Sequence, residues 1–226
     1  MKSYAEDWHG CGVGRGTHMS SCKIYTNAME ENSVSKLNHP VEKLVQTILY
    51  KSVEFEVVER PDVIWVGCID YAQNNSDESD IDATEKRIVE LWETVPVNNK
   101  INPDWSASLG INYFSNDKPC GMFFGSESYT DKQDERYDIF IQPGGLWLRF
   151  CVDENSATQL LGFDKSKPFS AWDYASHKYL AHVQNVVDEN GYIKNPDIDI
   201  VLDYHCHAEY NTPPHTCYGY IPIAIK

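Results

Sequence analysis

The order of the predicted secondary structure elements constrains the fold more than any other feature of this sequence. Apolar periodicity in the first half predicts a strand, a helix and two strands, at 54–71, 82–95, 105–114 and 121–128. The second half repeats this order at 136–152, 168–187, 198–207 and 218–226. A strand, a helix and two strands, used twice, predict an α+β fold built from a duplicated βαββ repeat. We expect an antiparallel sheet, two helices on one side of it, and a groove between the repeats.

The chain ahead of the duplicated region has a different character. Residues 1–38 show little periodicity, but from Pro40 the apolar residues of PVEKLVQTILY follow helical spacing. Because proline is favoured in the first turn of a helix, this pattern predicts a helix at 40–50. We therefore expect an N-terminal leader at 1–50, which ends in this helix, and one domain at 51–226. The apolar stripe of the helix would dock on the domain, on a partner protein or on a second copy of the chain.

The charge balance excludes nucleic acid as a direct partner. The 226 residues include 19 lysines and arginines but 34 aspartates and glutamates, which gives a formal charge of −15. DNA binding requires a basic footprint, so we expect none. The sequence also has no apolar run of the length needed to cross a membrane, and it lacks the apolar core of a signal peptide. Together with seven scattered cysteines and no CxxC motif, these features predict a cytoplasmic protein with reduced thiols.

The segment DYHCHAEYNTPPH, from Asp203 to His215, suggests a metal site. His205 and His207 alternate, so on a strand both would point to the same face. However, the His-x-His sites of this kind belong to folds that are nearly all β, and two helices are predicted here. The residues leading to His215 are predicted to form a loop, where metal ligands are poorly held. We expect neither a native metal site nor a cofactor.

Short motifs in the predicted domain resemble a known family. In chain order they are FEVVERPDVIWVG, VELWETV, LGINYF, FFGSES, IQPGGLWLRFCV, AWDYASHKYL, NPDIDIVLDY and YIPIAIK. In this order they are similar to the GyrI-like domain, which is the effector-binding domain of AraC/XylS-type and multidrug-responsive MerR-type regulators. The resemblance covers about residues 54–226. A double helix-turn-helix needs on the order of 100 residues, so we expect the stand-alone form, which resembles integron-associated effector-binding proteins.

The resemblance implies a module that captures a hydrophobic, cationic small molecule in an aromatic groove with a buried carboxylate. Aromatic faces attract a cation, and a carboxylate removed from water supplies the counter-charge. Matched by position to the family motifs, Glu127 is the carboxylate and Tyr113, Trp147 and Trp172 are aromatic groups of the groove. Two further candidates are Trp92 on the first helix and Asp199 near the last strands.

Each of these assignments has a structural alternative. Trp92 and Trp172 lie on apolar helical stripes, which are typical of core residues. Glu127 and Tyr113 are also compatible with ordinary strand positions, and Asp199 alternates with isoleucines on a strand whose acidic face would be solvated.

Three functions remain open at this stage. The first is a binding module. The second, implied by one branch of the family, is a small hydrolase of electrophilic genotoxic compounds, in which Glu127 orients a water molecule. The third is an interaction protein that docks through the helix predicted at 40–50. Binding and hydrolysis use the same pocket, so only turnover distinguishes them.

Overall fold

The computed structural model describes residues 37–71, 78–115, 118–206 and 217–226. Its strands are β1 Lys43–Tyr50, β2 Val53–Arg60, β3 Val63–Tyr71, β4 Trp105–Ile111, β5 Gly121–Ser128, β6 Asp138–Gln142, β7 Gly145–Val152, β8 Tyr192–Lys194, β9 Ile200–Cys206 and β10 Cys217–Ile225. Its helices are α1 Glu78–Thr94, α2 Glu154–Leu161 and α3 Leu180–Glu189, and two 3₁₀ turns, Ala171–Tyr174 and Ser176–Tyr179, precede α3.

The strands form a single antiparallel sheet in the order β1-β2-β7-β10-β9-β4-β5-β3-β6, with β8 paired to β10. The pair β4–β9 lies at the centre. From it, the strands β5 and β3 follow on one side, and β10 and β7 follow on the other. One unit is therefore β3-α1-β4-β5, and the second is β7, its helices, β9 and β10. This arrangement confirms the α+β fold with a duplicated βαββ repeat.

The helices cover one face of the sheet. On α1, the buried Ile88 packs in a cluster with Val66 and Cys68 of β3. On α3, Val183 packs in a second cluster with Phe150 of β7. Side chains that alternate with these point to the opposite face and form a third, aromatic-rich cluster. No helix in the described parts of the chain has both the length and the apolar character needed to cross a membrane.

The second half contains one helix more than the sequence patterns predicted. The eight-residue helix α2 starts at a capping box, in which the Asp153 carboxylate accepts from the Ser156 amide. It ends at Gly162, whose φ of 72° is the left-handed conformation typical of a helix end. The helix predicted at 168–187 begins only at Leu180, because the amide of Ser176 donates to the Asp203 carboxylate, at 2.9 Å, instead of continuing a helix.

The helix predicted at 40–50 is a strand, so that prediction is wrong. β1 pairs with β2 along its length, from Lys43 opposite Glu59 to Tyr50 opposite Val53. The connecting residues Lys51 and Ser52 both have positive φ, 47° and 63°, which matches a two-residue hairpin turn. Pairing with β2 satisfies the backbone of β1, and tertiary pairing of this kind overrides helical spacing in a short apolar segment. Residues 1–36 of the predicted leader lie outside the described residues.

The halves of the sheet, which pair at β4–β9, are also joined by two short connections. Pro61 and Asp62 join β2 to β3, while Pro143 and Gly144 join β6 to β7. The Gly144 amide donates to Asp62 Oδ1 at 2.7 Å, and a Cβ atom on Gly144 would lie only 2.8 Å from the carbonyl carbon of Pro61. Since these connections link strands of different halves, the face of the sheet opposite the helices is enclosed, and its side chains are buried.

Candidate ligand-binding site

An aromatic cup lies on the enclosed face of the sheet. We define it by six side chains, two from the first half and four from the second: Trp65, Trp105, Trp147, Tyr204, Tyr218 and Tyr220, all of which are buried. Trp105 stacks on Tyr204 with ring centroids 5.2 Å apart, and Tyr204 meets Tyr220 edge to face at 6.2 Å. Because Trp105 is on β4 and the tyrosines are on β9 and β10, the cup lies between the two repeats.

Glu127 of β5 lies within this cup, directly opposite Trp65 in the sheet register. Its side chain is fully buried. One oxygen, Oε2, accepts from Tyr204 Oη at 2.9 Å and from His39 Nε2 at 2.5 Å, and the other accepts from Arg60. Burial raises the pKa of Glu127, but the charge of Arg60 and the hydrogen bonds from His39 and Tyr204 hold it below its ordinary value. The group is therefore a carboxylate at neutral pH.

Arg60 places a guanidinium group inside the cup. Its Cζ atom lies 4.9 Å from the ring centroid of Tyr220 and 5.8 Å from that of Trp147, within the range of cation–π attraction. It forms an ion pair with Glu127, and its Nε lies 3.1 Å from Glu42 Oε1. Burial lowers the pKa of Arg60, but the two carboxylates more than offset this and raise it. Arg60 is thus a permanent cation held by carboxylates and aromatic faces.

A second guanidinium group extends the network. Arg149 donates to Glu42 Oε2 at 2.6 Å and to Glu56 Oε2 at 2.6 and 2.8 Å. Tyr220 also donates to Glu42, at 3.3 Å. The buried charged groups are consequently linked through shared partners, with Glu42 between the two arginines. Removal of any one group would leave a buried opposite charge with fewer partners.

The charges in the cup do not balance. Three carboxylates, those of Glu42, Glu56 and Glu127, face two guanidinium groups, so the network has a formal charge of −1 when His39 is counted as neutral. His39 donates to Glu127 through Nε2, and its Nδ1 lies 3.5 Å from the Val41 amide nitrogen and 3.8 Å from Glu42 Oε1. The cup also has unused donors, since Arg60 Nη1 has no hydrogen-bond partner among the described residues. The excess of carboxylates favours a cationic group, whereas the unused Arg60 donor favours a hydrogen-bond acceptor.

The structure brings together only part of the predicted site. Glu127 and Trp147 lie in the cup, where Arg60 contacts both. Tyr113 does not, because it follows the end of β4 and packs against the helix-side cluster. Trp92 packs on α1 against the other helix-side cluster. Asp199 lies outside the cup, where it accepts from the Phe114 amide at 2.7 Å. The side chain of Trp172 lies outside the described residues.

Several residues of the cup and of the charged network within it were not predicted from the sequence. These are His39, Glu42, Glu56, Arg60, Trp65, Trp105, Arg149, Tyr204, Tyr218 and Tyr220. A signal for some of them exists, because a charged residue at an inward position of an apolar strand requires a buried partner. Arg149 within GLWLRFCV is such a residue, and so are Glu56 and Arg60 within FEVVER. The pairing of His39 with Glu127, 88 positions apart, has no local signal.

Only part of the histidine-rich segment 203–215 lies within the described residues. His205 is buried on β9 and points to the helix side of the sheet, whereas Tyr204 next to it points into the cup. His207 and His215 lie outside the described residues. Within those residues, no three potential metal ligands come together.

Asp203 is a further carboxyl group, half-buried, and it lies on the face of the sheet away from the cup. Burial raises its pKa to about 6, although hydrogen bonds from Ser176 act in the opposite direction. Its ordinary value is 3.8. Because the folded protein holds this proton more tightly than the unfolded chain does, the stabilisation is complete below the ordinary pKa. It is then lost as the pH rises through about 6.

We therefore expect Asp203→Asn to raise the free energy of unfolding at pH 8 by up to about 3 kcal/mol, the equivalent of the shift in pKa. The asparagine oxygen can still accept from Ser176, and the cost of burying a charge is removed. Near pH 4 the variant and the parent should have equal stability. Urea titrations at the two pH values measure both quantities, and a variant that is less stable at pH 8 would contradict this assignment.

No protein-family model matches the sequence, and no curated protein matches it. Solved structures do match. The C-terminal domain of EcmrR has a TM-score of 0.50 and 12% identity, over 77% of this chain and 99% of that domain. SAV2435 bound to tetraphenylphosphonium has a TM-score of 0.54 and 9% identity, over 75% of this chain and 93% of SAV2435. The full EcmrR chain from a DNA complex has a TM-score of 0.49 and 11% identity, over 76% of this chain.

Two of these similarities define the fold. At TM-scores of 0.50 and 0.54, the EcmrR domain and SAV2435 show that this chain shares their fold. The chain spans a little over half of the full EcmrR protein, since the match covers 57% of that chain. Identities of 9–12% define the fold alone.

Proposed function

We propose that this protein is a small-molecule-binding module and that its ligand is a hydrophobic organic cation held in the aromatic cup beside Glu127. The observation that carries this proposal is the formal charge of −1 in a cup enclosed by aromatic side chains. A buried charge without a counter-charge is costly, so a ligand of opposite charge gains affinity by neutralising it.

The position of Arg60 supports a cationic ligand. The cup already holds one planar cation, whose charge is paired with Glu127 and whose face lies over Tyr220 at 4.9 Å. These are the interactions that an organic cation would use, and they are strengthened by the exclusion of water. The similarity in fold to SAV2435, which was solved with tetraphenylphosphonium bound, also supports this ligand class.

The state of Glu127 favours binding over hydrolysis. A general base works best when its pKa is close to the working pH, but the pKa of Glu127 is held below the ordinary value of 4.5. Both of its oxygens already accept hydrogen bonds, from Arg60 on one side and from Tyr204 and His39 on the other. We therefore propose that the ligand leaves the site unchanged.

The test compares methyltriphenylphosphonium, a cation, with triphenylphosphine oxide, a neutral molecule of similar shape. We expect Glu127→Gln to weaken binding of the cation by about 1 to 3 kcal/mol, the scale of a hydrogen bond to a charged group. Binding of the neutral molecule should be unchanged or stronger. Calorimetric titration of the parent and the variant with both molecules gives the four affinities, and mass spectrometry of the recovered ligand detects turnover.

Two controls make this experiment decisive. Tyr204→Phe removes one hydrogen bond to Glu127 but keeps its charge, so it should have a smaller effect on the cation than Glu127→Gln does. Because the pKa of Glu127 is lowered, protonation of this carboxylate should weaken binding of the cation only below the ordinary pKa of 4.5. Equal affinity of parent and Glu127→Gln for the cation would reject the proposal.

A further inference from the structure

The chain itself occupies the mouth of the candidate site. The segment Leu37–Glu42, which precedes β1, enters the cup with its side chains buried at positions 37, 39 and 42. The Leu37 amide donates to Tyr218 Oη at 3.2 Å, and His39 Nε2 lies 2.5 Å from Glu127 Oε2. The ring centroid of His39 is 5.7 Å from that of Tyr204. The segment therefore contacts the aromatic groups and the carboxylate that would hold a ligand.

The segment makes the same kinds of contact with the cup that the proposed ligand would make. Leu37 supplies an apolar group that joins the aromatic cluster, and His39 supplies a flat ring with a nitrogen donor at the carboxylate. Glu127 keeps two other donors, Arg60 and Tyr204, when the ring is absent. A ligand can therefore occupy the position of the His39 ring without breaking the ion pair between Arg60 and Glu127.

Residues 37–41 can leave the cup while β1 stays in the sheet. The contacts of the segment end at a turn, in which the Glu42 amide donates to the His39 carbonyl oxygen at 3.3 Å. Immediately after this turn, β1 is held by its own pairing with β2, from Lys43 onwards. Release of residues 37–41 therefore leaves Glu42, Arg60 and Arg149 in place, and the cup keeps its formal charge of −1.

We propose that residues 37–41 are an internal ligand of the cup, and that a small molecule binds by displacing His39 from Glu127. This inference rests on the function proposed above. Binding of the molecule and docking of the segment exclude each other because both require Glu127 Oε2. The apparent affinity for the molecule is then reduced by the fraction of protein in which the segment is docked.

Two substitutions in the full chain weaken docking in different ways. His39→Ala removes the ring from Glu127, and Leu37→Ala removes apolar contacts without changing any partner of the carboxylate. With methyltriphenylphosphonium as the probe, we expect each variant to bind about tenfold more tightly than the parent, or more. Leu44→Ala is the matched control, because Leu44 lies on β1 and is 53% exposed; it should bind like the parent. If His39→Ala folds poorly, Leu37→Ala still tests whether docking of the segment competes with the probe.

Hydrogen exchange of the parent gives an independent measure. On saturation with the probe, protection of the Leu37 and Val41 amides, which donate to Tyr218 and His39, should fall, while the amides of β2 and β10 stay protected. If the parent binds the probe but the variants bind no more tightly, or if protection of the Leu37 and Val41 amides is unchanged, the internal-ligand proposal is overturned and the proposed function stands. If neither the parent nor the variants bind the probe, the proposed function fails, and the inference that rests on it fails as well.

Discussion

Replacing Glu127 with glutamine is expected to lower the free energy of unfolding by about 3 to 5 kcal/mol, the cost of removing one partner from a buried ion pair. The amide can still accept hydrogen bonds, but the Arg60 guanidinium then lies buried without the counter-charge of Glu127. Glu42 remains near Arg60, at 3.1 Å, and already shares its charge with Arg149. Guanidinium chloride titration of parent and variant measures the difference.

An exposed pair in the same sheet provides the control. Lys43 and Glu59 lie 3.4 Å apart with side chains 78% and 56% exposed, so Glu59→Gln should change the free energy of unfolding by less than about 1 kcal/mol. Combining Glu127→Gln with Arg60→Met should restore at least about 1 kcal/mol relative to the sum of the single changes, because the residues are in contact. Additive effects would show that the two charges do not stabilise one another.

The second large effect is expected for Trp147→Ala, which should cost about 3 to 5 kcal/mol of unfolding free energy. The side chain of Trp147 is fully buried between the two halves of the sheet, and its ring lies beside the Arg60 guanidinium. Truncation removes a large apolar surface and leaves a cavity next to a buried charge. Denaturant titration at neutral pH is the measurement.

A tryptophan outside the cup distinguishes this effect from a general cost of losing an aromatic ring. Trp92 on α1 is only partly buried, so Trp92→Ala should cost about 1 to 2 kcal/mol, a typical value for a single substitution. It should also leave the affinity for methyltriphenylphosphonium unchanged. A loss of ligand binding in Trp92→Ala, at unchanged stability, would move the site to the helix side of the sheet.

The repeat of strand, helix, strand, strand was predictable because each element carries its own periodicity. Strands such as 121–128 and the helix around Trp92 show alternating or helical spacing within a few residues. Local spacing was insufficient at 40–50, where an apolar segment of eleven residues is compatible with helix or strand. It was also insufficient at Ser176, where a hydrogen bond to Asp203 interrupts the predicted helix.

The candidate site was predictable only in part. The motif FFGSES identified Glu127 through its resemblance to the family, and IQPGGLWLRFCV identified Trp147 in the same way. The partners of Glu127 come from positions 39, 60 and 204, on three other segments of the chain. Contacts between residues so far apart depend on the register of the sheet and on its enclosure.

The sequence by itself determined the duplicated βαββ order, because strand and helix periodicities are written into adjacent residues and hold in any packing that buries their apolar sides. Only the tertiary structure decided what fills the site. Antiparallel register places Glu127 and Tyr204 on one enclosed face, and the short connections near Arg60 bring its guanidinium to them. Because these charged groups are buried away from water, each must lie beside a group of opposite charge. The turn before β1 places His39 next to the Glu127 carboxylate.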